Sequence, residues 1–260
     1  MDCIVIIPAR FASSRFPGKL LATLAGRPLI EHVVERCLQL PGADATVVAT
    51  DDERIAAAAS AAGAETVLTT EDFSSGTDRV AHVARGFDAE VVVNVQADEI
   101  LIDPAAVGAA LETFRSSEAE LGTLRMALRS TAELWDPNVV KVVVDASGRA
   151  LYFSRSPVPY PRAQAVQAPG GGLAPKEDIN DIAGAQHWIH LGVYLYRRAA
   201  LDRWAALPPS PLERCEGLEQ LRVLEAGEMM QTYEVPEVPA GVNTPDDLER
   251  IRSIDEARQD

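Results

Sequence analysis

The chain reads as an α/β domain, a parallel sheet covered by helices, with an excursion in its second half. Three features of the 260 residues carry that reading. Short Val/Ile-rich runs alternate with Ala/Leu-rich amphipathic stretches through the first half, the rhythm of successive βαβ units. The first of those runs opens straight into a loop of cations and hydroxyls, the kind of segment found outside the strand C-termini of open α/β sheets. Hydrophobic residues make up 47% of the chain, ample for a core, and no apolar run approaches the roughly 18 residues a membrane helix needs.

Taken in order, Ile4–Ile7, Thr46–Ala49, Thr66–Leu68 and Val91–Val95 are the apolar runs that predict strands. Between them, Pro28–Leu38 and Thr77–Ala84 carry apolar residues at helical spacing, and Asp52–Ala62 is alanine-rich with an acidic start. In the second half, Thr123–Leu128, Val139–Val144 and Ala150–Phe153 predict strands, with Asp145-Ala146-Ser147-Gly148 turning between the last two. A Pro- and Gly-dense stretch, 157–175, is long for a structureless loop and fits a lid, an interface arm or a disordered segment. Beyond it, Ile189–Tyr196 predicts a strand, Leu201–Ala206 and Leu212–Ala226 helices, and Met229–Val235 a last strand. Thr244 then caps a C-terminal helix with Pro245 in its first position.

Lys and Arg number 24 against 39 Asp and Glu, a net charge of −15 that argues against a nucleic-acid partner or an anionic membrane surface. A small anionic ligand stays compatible, because local cations dominate a crevice that distant charge reaches only through salt. Cys3, Cys37 and Cys215 are odd in number and widely spaced, which predicts ordinary reduced core thiols. No basic segment with an apolar signal core opens the chain, so a cytoplasmic location is expected.

Chemistry concentrates at three places. Arg10, Ser13, Ser14, Arg15 and Lys19 share the loop after the first strand, which suits a triphosphate although its spacing is not that of a Walker A motif. Asp98, in Asn94-Val95-Gln96-Ala97-Asp98-Glu99, leaves the most hydrophobic strand; beside phosphates, its charge calls for a divalent cation such as magnesium, which takes one or two carboxylates with phosphate oxygens and waters. Ser74-Ser75-Gly76-Thr77-Asp78-Arg79 offers helix caps, but Arg79 opposes the helix dipole and so points to an anion or a base carbonyl as its partner. His187 and His190 are spaced H-x-x-H, yet His190 falls in a strand pattern, which disfavours a metal pair; Trp135, Trp188 and Trp204 read as core or loop anchors.

In order along the chain, Ile7–Lys19, Ala49–Ile55, Ser75–Arg79, Asn94–Glu99, Asn138–Asp145, Ala150–Pro159, His190–Arg197, Pro209–Glu213, Leu218–Glu228 and Val242–Ile251 resemble the 3-deoxy-manno-octulosonate (Kdo) cytidylyltransferases, in register over nearly the whole length. The resemblance implies a nucleotide-diphospho-sugar-transferase-like α/β fold: a Rossmann-type mixed sheet flanked by helices, with a smaller sheet or arm for acceptor binding and dimerisation. It implies one domain over 1–260, with a nucleotide-binding half (1–122), an acceptor and dimerisation half (123–235) and a C-terminal metal-site loop and helix (236–260). The implied reaction is CTP plus Kdo giving CMP-Kdo and pyrophosphate, magnesium-dependent, in a homodimer, within lipopolysaccharide biosynthesis. By position, Arg10, Ser14, Arg15 and Lys19 would hold the triphosphate with Ala9 beside them, and Ser75, Arg79 and Gln96 would surround cytosine and ribose. Asp98 would bridge the metals, with Arg10, Lys19 and Asp98 carrying catalysis, and Arg155, His190, Tyr194, Glu219 and Gln220 would contact the sugar acid.

The chain departs from the family pattern at several positions. Ala97 and Ile100 replace a glycine and a proline beside Asp98, and Leu195 replaces a glycine. Ala97 is tolerable only with a negative φ. Asn243 stands where the family has a second metal aspartate, which predicts a weaker or altered acceptor-side metal, with Asp246 and Asp247 near in sequence. Two alternatives therefore stay open: a paralogue that cytidylylates another carboxylate-bearing acceptor, and a catalytically impaired nucleotide-binding homologue.

Overall fold

Strand β1 (Cys3–Ala9) is buried at every residue. A strand buried on both faces has no solvent side, so its sequence is a continuous apolar run rather than an alternation. In a computed structural model, residues 1–12, 16–161, 165–167, 173–175, 187–236, 247–249 and 251 are described. They fall into two compact units, one containing Met1–Leu121 and Gly192–Ala206, the other drawn from Gly122–Leu191 and Leu207–Glu237.

In the first unit, β1 is followed by a small hairpin, β2 (Thr23–Leu24) and β3 (Arg27–Pro28), and by α1 (Leu29–Leu38). Then come β4 (Ala45–Thr50), α2 (Glu53–Ala61), β5 (Glu65–Leu68), α3 (Gly76–Ala84), β6 (Val91–Val95) and α4 (Pro104–Arg115). The predicted βαβ alternation is thus present. Helix α2 starts where Asp52 accepts from the backbone N–H groups of Arg54 and Ile55, and α3 where Ser75 accepts from Asp78 N. Helix α4 was not predicted, although Asp103 as cap and Pro104 in the first position were visible in the sequence.

β1 pairs in parallel with β4 on one side, Ile4 opposite Ala45 through Ala9 opposite Thr50, and with β6 on the other. β4 pairs in parallel with β5. Four parallel strands therefore end at one edge, where Arg10, Asp51 and Gln96 follow β1, β4 and β6. Residues Val193–Arg197 of a later strand run antiparallel to β6, which makes the sheet mixed. Tyr194 and Tyr196 of that segment enclose a core cluster with Trp204, whose ring is edge-on to both at 5.9 and 5.4 Å. Burying a ring of this size removes it from water at a gain of about 2–3 kcal/mol.

The second unit begins with β7 (Leu121–Ala127), α5 (Thr131–Trp135), β8 (Lys141–Val144) and β9 (Ala150–Ser154). β8 and β9 form an antiparallel hairpin around the predicted Asp145–Gly148 turn. Within the Pro/Gly-dense stretch, β10 (Ala165–Gln167) and β11 (Leu173–Pro175) pair antiparallel. Strand β12 (Trp188–Arg197) passes from one unit to the other; its Trp188 and Ile189 pair with β8. Helix α6 (Arg198–Ala206) belongs to the first unit, and α7 (Pro211–Glu216), α8 (Leu221–Glu225) and β13 (Gln231–Glu234), parallel to β7, complete the second.

Two expectations are corrected here. The single helix predicted over 212–226 is two helices, because Gly217 adopts a left-handed φ of 63° and closes α7 through its N–H to Glu213 O. Cys3 and Cys37 are buried thiols, Cys3 pushed up to about 12 by burial, but Cys215 is exposed on α7, a helix with no buried residue. No helix among the described residues is long and apolar enough to cross a membrane. The predicted cap Thr244 and Pro245 lie outside the described residues.

Candidate active site

The loop after β1 leaves the sheet at Ala9, fully buried, and Arg10, exposed. Gly18 N donates to Phe11 O at 3.3 Å, closing the loop at its base. Gly18 has a left-handed φ of +68°, which favours glycine, and a Cβ there would press on the Phe11 ring at 3.2 Å. Lys19 follows in a short 3-10 turn, and its Nζ lies 3.1 Å from Asp98 Oδ2. The structure thus brings together two residues 79 positions apart that the sequence assigned to one site. Ser13, Ser14 and Arg15 lie outside the described residues.

Asp98 is held in place through its neighbours. Gln96 N donates to Gly192 O at 2.9 Å, and Glu99 Oε1 accepts from Gly192 N at 2.7 Å, so both sides of the Asp98 turn engage one peptide segment of β12. Gly192 is needed there, because a Cβ would lie 2.9 Å from Glu99 Oε1 and 3.0 Å from Gln96 Cγ. Burial and the neighbouring Asp98 charge push the Glu99 carboxyl up to about 7. Ala97 is buried and is not among the residues with positive φ, which meets the condition its methyl group imposes. Asp98 keeps about a third of its side chain exposed (32%). An accessible carboxylate beside a lysine fits a magnesium ion that arrives with a polyphosphate and completes its shell with phosphate oxygens and water. Among the described residues, no group of three or more His, Cys, Asp or Glu gathers to hold a metal by itself. Asn243 and Asp246 lie outside the described residues; Asp247 is half-buried.

Ser75 is buried and caps α3. Gln96 is half-buried, with Nε2 donating to Asn94 Oδ1 at 3.3 Å. Arg79 is 6% exposed, and the anion it faces is internal: Nη2 donates to Asp51 Oδ2 at 2.9 Å and Nη1 to Thr69 Oγ1 at 2.6 Å, beside the Phe73 ring.

In the second unit, the Arg155 guanidinium donates to the main-chain carbonyls of Glu216 (2.8 Å), Pro137 (2.8 Å) and Gly217 (3.4 Å). Carbonyl acceptors orient its planar fork. The main-chain N–H of Arg155 donates to the Glu216 carboxylate, which also accepts from Ser154 Oγ at 2.6 Å. Lys141, completely buried in β8, donates to the carbonyls of Asp136, Val139 and Arg155, and burial pulls it down to about 8. His190 Nε2 meets Thr123 Oγ1 at 2.9 Å, and burial pulls its imidazole down to about 3, so the ring is neutral. His187 Nε2 instead meets Pro159 O, so the two histidines of the H-x-x-H pair have separate partners. Glu219 is half-buried and Gln220 buried in the turn between α7 and α8. Tyr194, in the first unit, is 4% exposed and stacks on Tyr196.

The sequence reading did not single out Asp51, Glu99, Lys141 or Glu216 as site residues. Asp51 had a usable signal, an acidic residue directly after a buried parallel strand; Lys141 had one too, a cation inside an apolar run.

A cytidylyltransferase family model matches residues 4–230. The 3-deoxy-manno-octulosonate cytidylyltransferase of Trichlorobacter lovleyi is 44% identical over 97% of this chain and 98% of its own. That of Syntrophotalea carbinolica is 46% identical, again over 97% of this chain and 98% of its own. Among solved structures, a CMP:2-keto-3-deoxy-manno-octonic acid synthetase complexed with CTP superposes with a TM-score of 0.85 at 40% identity, covering 99% of this chain and all of the other. These likenesses do not favour the paralogue or impaired-homologue alternatives. A mixed α/β sheet with a cation loop, a lysine–aspartate pair at its carboxyl edge and near-complete coverage by these relatives places this chain in the 3-deoxy-manno-octulosonate cytidylyltransferase family.

Proposed function

We propose that this protein transfers CMP from CTP to the anomeric hydroxyl of Kdo and releases pyrophosphate. The observation that carries the reading is the Lys19–Asp98 pair at the edge where the Arg10 loop leaves β1. In the reaction, a hydroxyl oxygen bonds to the α-phosphorus, the bond to the β-phosphate bridging oxygen breaks, and the hydroxyl proton leaves to solvent or a base. Such transfers depend on positioning and charge neutralisation. Arg10 and Lys19, with Ser14 and Arg15, would bear on the triphosphate, and Ser75, Arg79 and Gln96 on the nucleoside side. Asp98 would hold magnesium, which when bound neutralises phosphate charge and orients the leaving group. Asn243 as a further ligand would add no charge. Arg155, aimed by its three carbonyls, suits an acceptor carboxylate. His190, Tyr194, Glu219 and Gln220 would complete the acceptor side.

The same reading includes the division into a nucleotide half (1–122), an acceptor half (123–235) and a C-terminal segment (236–260), together with a homodimeric, cytoplasmic enzyme. The test is pyrophosphate release from CTP at millimolar magnesium, with Kdo and with other hydroxy and keto acids, and mass detection of the nucleotide product. CMP-Kdo is the expected product. Release with another acid and none with Kdo overturns the acceptor assignment.

A further inference from the structure

The Ala49–Ile55 segment has no part in the scheme above, yet the structure ties it to the cation loop at two points. Asp51, the first residue after β4, accepts from Phe11 N through Oδ1 at 3.0 Å. Its other oxygen, Oδ2, takes Arg79 Nη2 at 2.9 Å. Arg79 is buried and fixed again by Thr69 Oγ1, which itself donates to Thr50 O at 3.1 Å. The carboxylate is therefore clamped from below and offers its remaining oxygen to the first peptide of the loop. Independently, Arg54 lays its guanidinium over the Phe11 ring at 4.2 Å while Asp52 holds it at 2.7 and 3.0 Å. Phe11 in turn packs against Gly18 and accepts its N–H, so fixing Phe11 fixes both ends of the loop that carries Arg10 and Lys19.

We infer that Asp51 is a positioning residue for the nucleotide's polyphosphate: anchored by Arg79, it fixes Phe11 and through it Gly18, so that the adjoining Arg10 and Lys19 are preset when CTP binds. Preorganisation of this kind acts on affinity for whatever the loop grips. The inference rests on the cytidylyltransferase reading, and it makes a distinction that a general loss of structure would not. A loop that holds phosphates discriminates CTP from CMP, so loosening it weakens CTP selectively.

The experiment is calorimetric titration of wild-type protein, Asp51→Asn and Arg54→Gln with CTP and with CMP, magnesium present, alongside KM and kcat for CTP. Asp51→Asn keeps an oxygen for Phe11 N but places an amide against Arg79. It is expected to weaken CTP about tenfold, to weaken CMP by no more than about threefold through its contact with Arg79 on the nucleoside side, and to raise KM more than it lowers kcat. Arg54→Gln alters a side chain that is 63% exposed, so it keeps the test open should Asp51→Asn fail to fold. It is expected to weaken CTP about two- to threefold with CMP unchanged. Equal loss of CTP and CMP in both variants, or no loss in either, overturns the inference. If the wild-type protein takes up neither nucleotide, the cytidylyltransferase reading itself fails and the inference falls with it.

Discussion

Lys19 and Asp98 lie 3.1 Å apart with 13% and 32% of their side chains exposed, each the other's counter-charge at the sheet edge. A pair this accessible to water adds no more than about 1 kcal/mol to stability. Under the proposed function its worth would be in binding and catalysis, where a fixed cation acts on charge that shifts during the reaction. Lys19→Met is therefore expected to lower kcat/KM for CTP by about 100-fold or more while the midpoint of thermal unfolding moves by only a few degrees. Pyrophosphate-release kinetics and a thermal melt on the same preparation check both halves; a large fall in melting temperature with activity kept would contradict it.

Gly192 sets the height of the Asp98 turn. A methyl group there meets Glu99 Oε1 at 2.9 Å and the Gln96 side chain at 3.0 and 3.1 Å, and the Glu99 carboxylate cannot retreat without losing its bond to Gly192 N. Gly192→Ala is expected to cost about 1–3 kcal/mol in denaturant unfolding. Because the displaced atoms flank Asp98, magnesium dependence should shift as well, to a higher half-saturating concentration.

His190 gives stability a pH dependence whose sign is fixed. Burial lowers its pKa in the folded chain to about 3, below the ordinary value of about 6.5, so the unfolded chain binds the extra proton first. Its contribution is complete above about pH 6.5 and is lost as pH falls toward 3, with a slope of at most about 1.4 kcal/mol per pH unit. Urea titrations of wild type and His190→Asn across that window should diverge at high pH and converge at low pH. Parallel curves would show that the imidazole titrates normally.

Arg222 is 2% exposed on its side chain and forks onto Glu213 at 2.7 and 2.8 Å. Glu213 also caps α7 by accepting from Ser210 N, so one carboxylate links two helices and the turn of Glu219 and Gln220 between them. Arg222→Ala strands that carboxylate and is expected to cost about 3–5 kcal/mol. The double replacement Glu213→Leu with Arg222→Met should cost less than Arg222→Ala alone, since it buries no orphan charge. Denaturant curves of the three proteins decide the order.

The buried strands were legible because continuous burial writes itself as continuous Val and Ile; β6 matched its predicted ends, Val91 and Val95. Boundaries failed where one residue's conformation decides them. Gly217 divides a helical pattern that periodicity alone reads as unbroken, and the β10–β11 pairing hides in a composition that suits a loop. At the site, Lys19 and Asp98 stand out in the sequence because a polyphosphate would demand cations and a metal carboxylate, and the structure brings the two together. What could not be read was who holds them. Arg79 predicts an anion or a base carbonyl as its partner, and its described partners are the Asp51 carboxylate and Thr69. Partnerships of this kind join positions dozens of residues apart, and only the sheet register brings them together.

Lys141 shows what such a partnership imposes. Its ammonium carries three protons and meets three carbonyl oxygens, those of Asp136, Val139 and Arg155, with no solvent to stand in for any of them. The position is governed by valence: a neutral side chain of equal length leaves three acceptors empty, and arginine brings a planar fork to a site shaped like a tripod. A chain that gave up this lysine would have to rebuild two segments at once, the 136–139 turn and the end of β9 that presents Arg155.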